Sequence, residues 1–411
     1  MISTESFEIN GREYKPRSRP IAVICADGSA DEYFDTALVR GLMPNLAKAI
    51  NQGFRGFARG ALPSFTNVNN CSLVTGVPPA VHGVCGNYFF DREAGEEVMM
   101  NSPKFLRSET ILAAAAKAGR KVSMITAKDK LLRLLTQGLT GIAFSSEKAA
   151  EATLETNGIT DLESVVGRPY PNIYSGDASV YVLAAGAALA ERGLSDFLYL
   201  SLTDFIQHTY APDEEGALAF YAALDREMGR LMAAGCVLAI TADHGMNAKH
   251  GSDRSPNVIY LETLLNEKVA EGHRVILPIT DPYVKHHGAL GSFAVVHTPA
   301  SGNVQESLEF IAGLEGVTEV YRREEAARRL ELPEDRLGEI VALSGRDWVL
   351  GRTTAHHDLS QLEAPLRSHG GRYEEMVPLI ISEPLSDAYR WKAMGDIRNF
   401  DIFDVAINGI A

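Results

Sequence analysis

The sequence predicts an α/β protein built on a doubly wound, mostly parallel sheet with helices on both faces, and a smaller α+β unit set into it. Three observations carry that expectation. Short, wholly apolar runs alternate with segments of helical periodicity, the pattern of repeated βαβ units. Three of those runs lead into an aspartate, at Asp27, Asp204 and Asp243, and ligands of open α/β sheets sit beyond the carboxyl ends of the strands. Between residues 256 and 351 the texture changes to shorter strand-like runs and more charged helices.

The first residues, 1–19, are polar and read as an arm. Ile21 to Ala26 is an apolar run ending in Asp27-Gly28, as a buried parallel strand does. Tyr33 to Gln52 is helical on either side of Pro44, with Gly53 to close it. Ser108 is placed to cap a helix over Glu109–Ala118, Gly119 ends it, and Lys121–Ala127 is the next strand. Asp177 is placed to cap an Ala/Leu-rich helix that reaches Gly193, and the strand Asp196–Leu202 follows. Asp213–Ala234 is helical, Gly235 stops it, and Cys236–Ala242 is again a strand. In the second unit, strands near Val258–Leu261, Val275–Ile279, Phe293–His297 and Val317–Tyr321 surround helices at Leu264–Glu271 and Val304–Leu314. Arg322–Arg329 reads as a solvated helix face. The chain returns to the main unit at Ser368–Ile381. The expected division is therefore a core of residues 20–255 and 352–411 and an inserted cap of residues 256–351.

The 411 residues carry 39 Lys+Arg against 53 Asp+Glu, a formal net charge of −14. With 45% hydrophobic and 22% charged residues, wholesale disorder is excluded. Area scaling gives roughly 15,600 Å² exposed when folded against about 65,000 Å² unfolded, a core large enough to need no disulfide staples. The negative balance disfavours a nucleic-acid partner and leaves open an anionic substrate, whose binding depends on local charge. Cys25, Cys71, Cys85 and Cys236 are widely spaced without a C-x-x-C pair, which argues against a thiolate zinc site or a disulfide framework. The start of the chain lacks the apolar region of a signal peptide, and no segment approaches the ~20 apolar residues of a spanning helix. The expected setting is cytoplasmic, without a membrane partner; a homo-oligomer stays open.

Four motifs carry metal chemistry. In Thr241-Ala-Asp243-His244-Gly245 two adjacent residues would point to opposite faces of a strand, so they share an ion only where the strand breaks, a turn that Gly245 permits. The bland alternative is a capping Asp beside a structural His. In Asp204-Phe-Ile-Gln-His208 the i, i+4 spacing on a helical turn lets both side chains hold one ion. Asp27 belongs to an Asp-Gly pair that otherwise reads as a turn. His369 lies in Arg367-Ser-His-Gly-Gly-Arg372, whose glycines allow close backbone approach; otherwise it is a surface-loop His. Three carboxylates and three imidazoles suit two divalent ions such as zinc, with manganese or iron compatible. Such a pair, about 3.5–4 Å apart, clamps the attacking and leaving oxygens of a displacement at phosphorus. For a nucleophile, Pro63–Asn70 before the helix-like Cys71–Thr75 offers Ser64 and Thr66. A metal-bonded hydroxyl at a helix N-terminus is activated; without the metal residues it would read as an ordinary N-cap.

The order Asp27, Thr66, Asp204-x-x-x-His208, Asp243-His244-Gly245-Met246 and His369 resembles the alkaline phosphatase superfamily, and within it the nucleotide pyrophosphatase/phosphodiesterase branch. Pro63–Asn70, Thr75–Gly83 and Gly86–Asp91 are further similar to the phosphonoacetate hydrolases. The resemblance covers the core from about residue 20 to 255 and the His369 segment, and the cap more loosely. It implies an alkaline-phosphatase-like fold in which Asp27, Asp243 and His244, with the Thr66 oxygen, bind one zinc and Asp204, His208 and His369 bind the other. It implies that Asn87, otherwise a turn residue after Gly86, contacts a phosphoryl oxygen. Ser64-Phe-Thr-Asn-Val68 does not fit the C/S-x-P-x-R motif of sulfatases, and the insertion that follows the nucleophile in cofactor-independent phosphoglycerate mutases is absent.

The activity so implied is cleavage of the P–C bond of phosphonoacetate, a small anionic substrate, to acetate and phosphate through a phosphothreonine. The departing carbon needs fixed positive charge on its side of the site. Lys128 and Lys130 follow a strand at the active edge; elsewhere such lysines are simply solvated, but beside this metal set they are expected to bind the substrate carboxylate. Two other readings stay open. One is a phosphodiesterase or nucleotide pyrophosphatase, for which Tyr88, Phe89 and Phe90 offer an aromatic slot. The other is a catalytically silent protein that captures small anions. His250, His286, His287, His356 and His357 are expected in loops or as buried polar residues.

Overall fold

The computed structural model describes residues 1–172, 175–281, 288–362 and 364–411, so His286 and His287 lie outside the described residues. Its centre is a seven-stranded sheet in the spatial order Phe54–Arg59, Met376–Ile381, Val237–Thr241, Ile21–Cys25, Phe197–Ser201, Val122–Thr126, Ile142–Ser145. Met376–Ile381 runs antiparallel to both neighbours and the other neighbouring pairs are parallel. Every residue of the Ile21, Val122, Phe197 and Val237 strands is buried. That is why they read as unbroken apolar runs: both faces are covered. Alternate residues feed two cores. Ile21, Val23, Phe197, Tyr199, Val237 and Ala239 face the side of the Thr66–Thr75 helix. Ala22, Ile24, Leu198, Leu200, Leu238 and Ile240 face the side of the Asp177–Glu191 and Glu215–Ala233 helices. The accessible area, 15879 Å², is close to the ~15,600 Å² expected from mass.

The structure corrects several local expectations. The polar arm contains a hairpin, Phe7–Ile9 with Arg12–Tyr14, turning at Asn10 (φ 49°) and Gly11 (φ 77°); Asn-Gly is the favoured pair for that mirror-image turn. Thr110, not Ser108, caps the helix Ile111–Lys117, its Oγ1 accepting from the Ala113 N–H at 3.1 Å. Gly176 occupies the capping position before Asp177–Glu191, and Asp177 lies in the first turn, where its charge still complements the helix dipole.

In the second unit a four-stranded antiparallel sheet has the order Arg274–Ile276, Phe293–His297, Ile340–Ser344, Val317–Arg322. The wholly buried Ile340–Ser344 strand was not among those expected, because the charged residues before it mask a short apolar run. Val258–Tyr260 pairs instead, in parallel, with Val349–Gly351. The helices span Leu261–Lys268 and Val304–Ala312. All four cysteines are free and buried. Among the described residues no helix is long and apolar enough to cross a membrane.

At the amino end of the central strands Arg120, its side chain wholly buried, pairs with Asp196 at 2.6 Å and donates to the carbonyls of Asp196 and Arg19 at 2.7 and 2.9 Å. Removing one partner strands a buried charge. Asp196→Ala is expected to lose about 3–5 kcal/mol in urea denaturation, and the apolar double change Arg120→Met/Asp196→Leu is expected to lose less.

Candidate active site

The three central strands end level with one another: Cys25 pairs with Thr241 on one side and Ser201 on the other. Asp27, Asp204 and Asp243 follow just beyond that line, so the sheet delivers three buried carboxylates to one point of its edge. Gly28 (φ +68°) makes this possible, since a Cβ there would lie 2.9 Å from the Asp204 Cβ.

Asp204 opens the short helix Phe205–Thr209, which brings His208 Nε2 to 3.0 Å from Asp204 Oδ2. His244 follows Asp243 after the strand has ended at Thr241, where strand alternation no longer applies. Gly245 is not what makes that turn: its φ lies outside the left-handed region, and a Cβ there would meet nothing nearer than 3.5 Å. His369 arrives as expected on a glycine-dependent loop. Gly370 has φ +117°, and a Cβ there would lie 2.4 Å from the Phe65 ring. Ser64 is spent on this loop, its N–H and Oγ donating to the carbonyls of Gly370 (3.1 Å) and Gly371 (3.0 Å). Thr66 is left as the hydroxyl that faces the cluster, with Oγ1 3.5 Å from His244 Nε2 at the first residue of its helix.

The three imidazoles are held alike. Nδ1 of His208, His244 and His369 lies 2.8, 2.9 and 2.7 Å from the carbonyl oxygens of Arg367, Gly245 and Ser64. A carbonyl only accepts, so each Nδ1 carries the proton and each Nε2 faces inward. Inward lie carboxylates: Asp204 Oδ2 at 3.0 Å from His208 and 3.7 Å from His369, and Asp27 Oδ1 at 3.3 Å from His244. A lone pair against an anion is repulsive unless a proton or a cation intervenes. For His369, burial and then the neighbouring His244 and His208 hold the pKa well below its usual value, which disfavours the proton. The His244 and His369 rings stack at 3.5 Å with 7° between planes.

The carboxylates make the same demand. Both oxygens of Asp27 are buried without a hydrogen-bond partner among the described residues. Burial, then the charges of Asp204 and Asp243, push its pKa well above the ordinary range. Burial and Asp204 push Asp243 up to about 6. For Asp204 burial also opposes ionisation, but Lys128 and His208 outweigh it and hold the carboxyl well below its usual value. Donor atoms within 4.8 Å of one another form two groups, Asp204 with His208 and His369, and Asp27 with Asp204 and His244. This donor set fits divalent cations. Asp204 thus reaches both groups. Asp243 Oδ2 stands 3.7 Å from His244 Nε2, while its Oδ1 accepts from the Gly28 and His244 N–H groups at 3.2 and 3.0 Å.

Asn87 packs beside the head of the Thr66 helix: its Oδ1 accepts from the Asn67 N–H at 3.1 Å, and its own N–H donates to Pro278 in the second unit at 2.8 Å. Each lysine is paired with a carboxylate at this edge of the sheet. Lys128 Nζ bonds Asp204 Oδ1 at 2.9 Å and stands 3.7 Å from Asp27 Oδ2. Lys130 pairs with the buried Asp281, which the sequence presents only as a residue before proline. Burial and Lys128 lower the Lys130 pKa.

The aromatic slot is not formed by Phe89 and Phe90. Phe89 packs edge-on against Phe105 at 5.3 Å, and Phe90 lies against His297 at 5.1 Å with the Arg274 guanidinium 4.4 Å from its ring centroid. His250, His356 and His357 are each engaged in hydrogen bonds. His250 bonds the Gly251 carbonyl, His356 bonds Thr353, and His357 bridges the Arg352 N–H and the Gly288 carbonyl.

Residues 21–372 match the family model of type I phosphodiesterase / nucleotide pyrophosphatase, and the chain belongs to that family. Crystal structures of phosphonoacetate hydrolase from Sinorhizobium meliloti 1021, in complex with phosphonoformate and with phosphonoacetate, are 46% identical to it with a TM-score of 0.93, covering 100% of both chains. Murine ectonucleotide pyrophosphatase/phosphodiesterase 5 shares the fold, with a TM-score of 0.64 at 17% identity over 96% of each chain. The bovine ectonucleotide pyrophosphatase/phosphodiesterase family member 3 is 24% identical over 246 residues, 56% of this chain and 25% of that protein. The chain spans about a quarter or less of the length of the curated relatives it matches.

Metal removal gives a signed prediction. In the metal-free protein the folded-state pKa of Asp243 stands near 6 against 3.8 unperturbed. The folded state then binds more protons than the unfolded one, and stability is lost as pH rises through that window. A bound cation would offset both the burial and the repulsion by Asp204 that raise it. The melting temperature of chelator-stripped protein is expected to fall below that of zinc-loaded protein, by a gap that widens as pH rises from about 4 to above 6. A gap that stays flat or narrows, measured by scanning calorimetry, would contradict the charge balance described above.

Proposed function

We propose that this member of the type I phosphodiesterase / nucleotide pyrophosphatase family hydrolyses the P–C bond of phosphonoacetate to acetate and phosphate, through a phosphothreonine at Thr66. The observation that carries the reading is the pair Lys128 and Lys130 beside the Asp/His cluster, two largely buried amines held there by Asp204 and Asp281, which a carbanionic leaving group would draw on. The full-length likeness to an enzyme crystallised with phosphonoacetate supports it. So does the use of Phe89 and Phe90 in packing, which leaves only Tyr88 of the three rings a nucleoside slot would draw on.

In this reading Asp27, Asp243, His244 and the Thr66 hydroxyl would hold one zinc ion, and Asp204, His208 and His369 a second. Bound metal supplies Lewis acidity toward the phosphoryl oxygens and lowers the pKa of water. The rest falls to the chain. Thr66 stands at the head of a helix, where first-turn amides and the dipole favour an anion on Oγ1. Its Oγ1, having given its proton to solvent, attacks phosphorus, and the P–C bond breaks with its electron pair going to the CH2 carbon. The adjacent carboxylate delocalises that pair as an enolate-like dianion. Lys128 and Lys130 stabilise the charge as it grows, and a proton from solvent completes acetate. Asn87, its Oδ1 held by the Asn67 N–H, offers Nδ2 to a phosphoryl oxygen. Water then attacks the phosphothreonine, releasing phosphate and restoring Thr66. Residues 256–351 act as a cap on the core of residues 20–255 and 352–411, tied to the site by the Asn87–Pro278 hydrogen bond and the Lys130–Asp281 pair. A cytoplasmic setting fits the four free cysteines.

Zinc-reconstituted protein is expected to release phosphate and acetate from phosphonoacetate in equal amounts while cleaving an aryl phosphodiester poorly. Fast diester cleavage with inert phosphonoacetate would move the assignment to a diesterase, and anion binding without turnover would leave only capture. Thr66→Ala is expected to lower turnover on the order of 10³-fold or more while retaining most of the zinc. Lys130→Met should cut kcat/KM for phosphonoacetate by roughly 10²-fold and leave the slow diester reaction unchanged.

A further inference from the structure

Asn70 lies one turn after Thr66 on the same helix, is fully buried, and has all four of its amide hydrogen-bonding positions filled. Its Oδ1 accepts from Tyr199 Oη at 2.7 Å and from Ser201 Oγ at 2.9 Å. Its Nδ2 donates to the Thr66 carbonyl at 3.0 Å and to Asp243 Oδ2 at 3.3 Å. The amide cannot be turned over, because a carbonyl and a carboxylate can only accept and would then face another oxygen. Tyr199 and Ser201, as hydroxyls, could serve either orientation; Thr66 and Asp243 serve one. Three pieces of the site therefore meet in one side chain: the first turn of the helix that carries Thr66, the end of the Val237–Thr241 strand, and the Phe197–Ser201 strand that leads to Asp204.

We infer that Asn70 is a positioning residue that ties Thr66 to Asp243 and sets the group of donors around Asp27, Asp243 and His244, acting on the reaction only through them. The inference rests on the reading of those residues as metal ligands. It differs from a purely structural role in what it predicts for two near-isosteric changes. Asn70→Asp keeps an acceptor for Tyr199 and Ser201 but sets a carboxylate against Asp243 and the Thr66 carbonyl. Asn70→Leu removes that clash but leaves two buried hydroxyls without their acceptor, which costs folding stability.

The test is a zinc titration of chelator-stripped protein against a chromogenic competitor, with a melting temperature for each variant. Wild type is expected to take up two equivalents. Asn70→Asp should weaken one equivalent by about 100-fold and Asn70→Leu the same equivalent by about 10-fold, the other staying at wild-type affinity. Melting temperatures should fall in the opposite order, Leu below Asp. Zinc affinity that simply follows melting temperature, or two wild-type equivalents in both variants, overturns the inference. Should the Leu variant not fold, Ser201→Ala takes its place: it removes one bond to Oδ1, and both zinc equivalents should stay near wild type. Equal zinc loss in Ser201→Ala and Asn70→Asp overturns the inference. If wild type itself takes up no zinc, the metal reading of the site fails first, a result separate from a wild type that loads normally beside variants that do the same.

Discussion

Three carboxylates buried at one sheet edge repel one another, and most of the site exists to answer that repulsion. Two unit charges 4 Å apart cost about 4 kcal/mol even at an effective dielectric of 20, so Asp27, Asp204 and Asp243 could not all remain ionised on their own. Three imidazole Nε2 atoms, the Lys128 ammonium and the backbone amides of Gly28 and His244 converge on them. Each imidazole is oriented by a carbonyl from a different part of the chain, Ser64, Gly245 or Arg367. The donor set is one that could hold divalent cations, and the parallel sheet supplies it by ending three neighbouring strands in register.

The second unit also touches the edge of the sheet that carries the Asp/His cluster. The loop after its Arg274–Ile276 strand fixes Asn87 through the Pro278 carbonyl and meets Lys130 through Asp281. Gly86 lets that loop come close, since a Cβ there would lie 2.6 Å from Pro278 Cβ. A chain of net charge −14 thus holds its positive charge locally.

Much of this was legible in the sequence because buried parallel strands leave a clear trace: a short, mostly apolar run with an aspartate two or three residues past its end. The helical turn after Asp204 and the paired glycines after His369 were equally readable, since spacing and backbone freedom are local properties. What escaped depends on tertiary contacts. Asn70 is one asparagine among several in Asn67–Asn70, and only the strands packed on its helix single it out. Asp281 becomes notable only once the cap brings it to Lys130. Phe89 and Phe90 look available until Phe105, His297 and Arg274 are seen to occupy them. Gly245 misled in the opposite direction, because a glycine beside a motif suggests a strained turn where the strand had already ended.

The position of Met376–Ile381 carries a consequence for biosynthesis. That strand, near the end of the chain, is inserted between Phe54–Arg59 and Val237–Thr241, and the loop just before it brings His369. Until that segment has been made, the residues before it leave a gap inside the sheet and two open strand edges, the kind of surface that pairs wrongly with other chains. The same late segment that heals the gap also brings the last imidazole to the three carboxylates. Completion of the sheet and completion of the Asp/His cluster are one event.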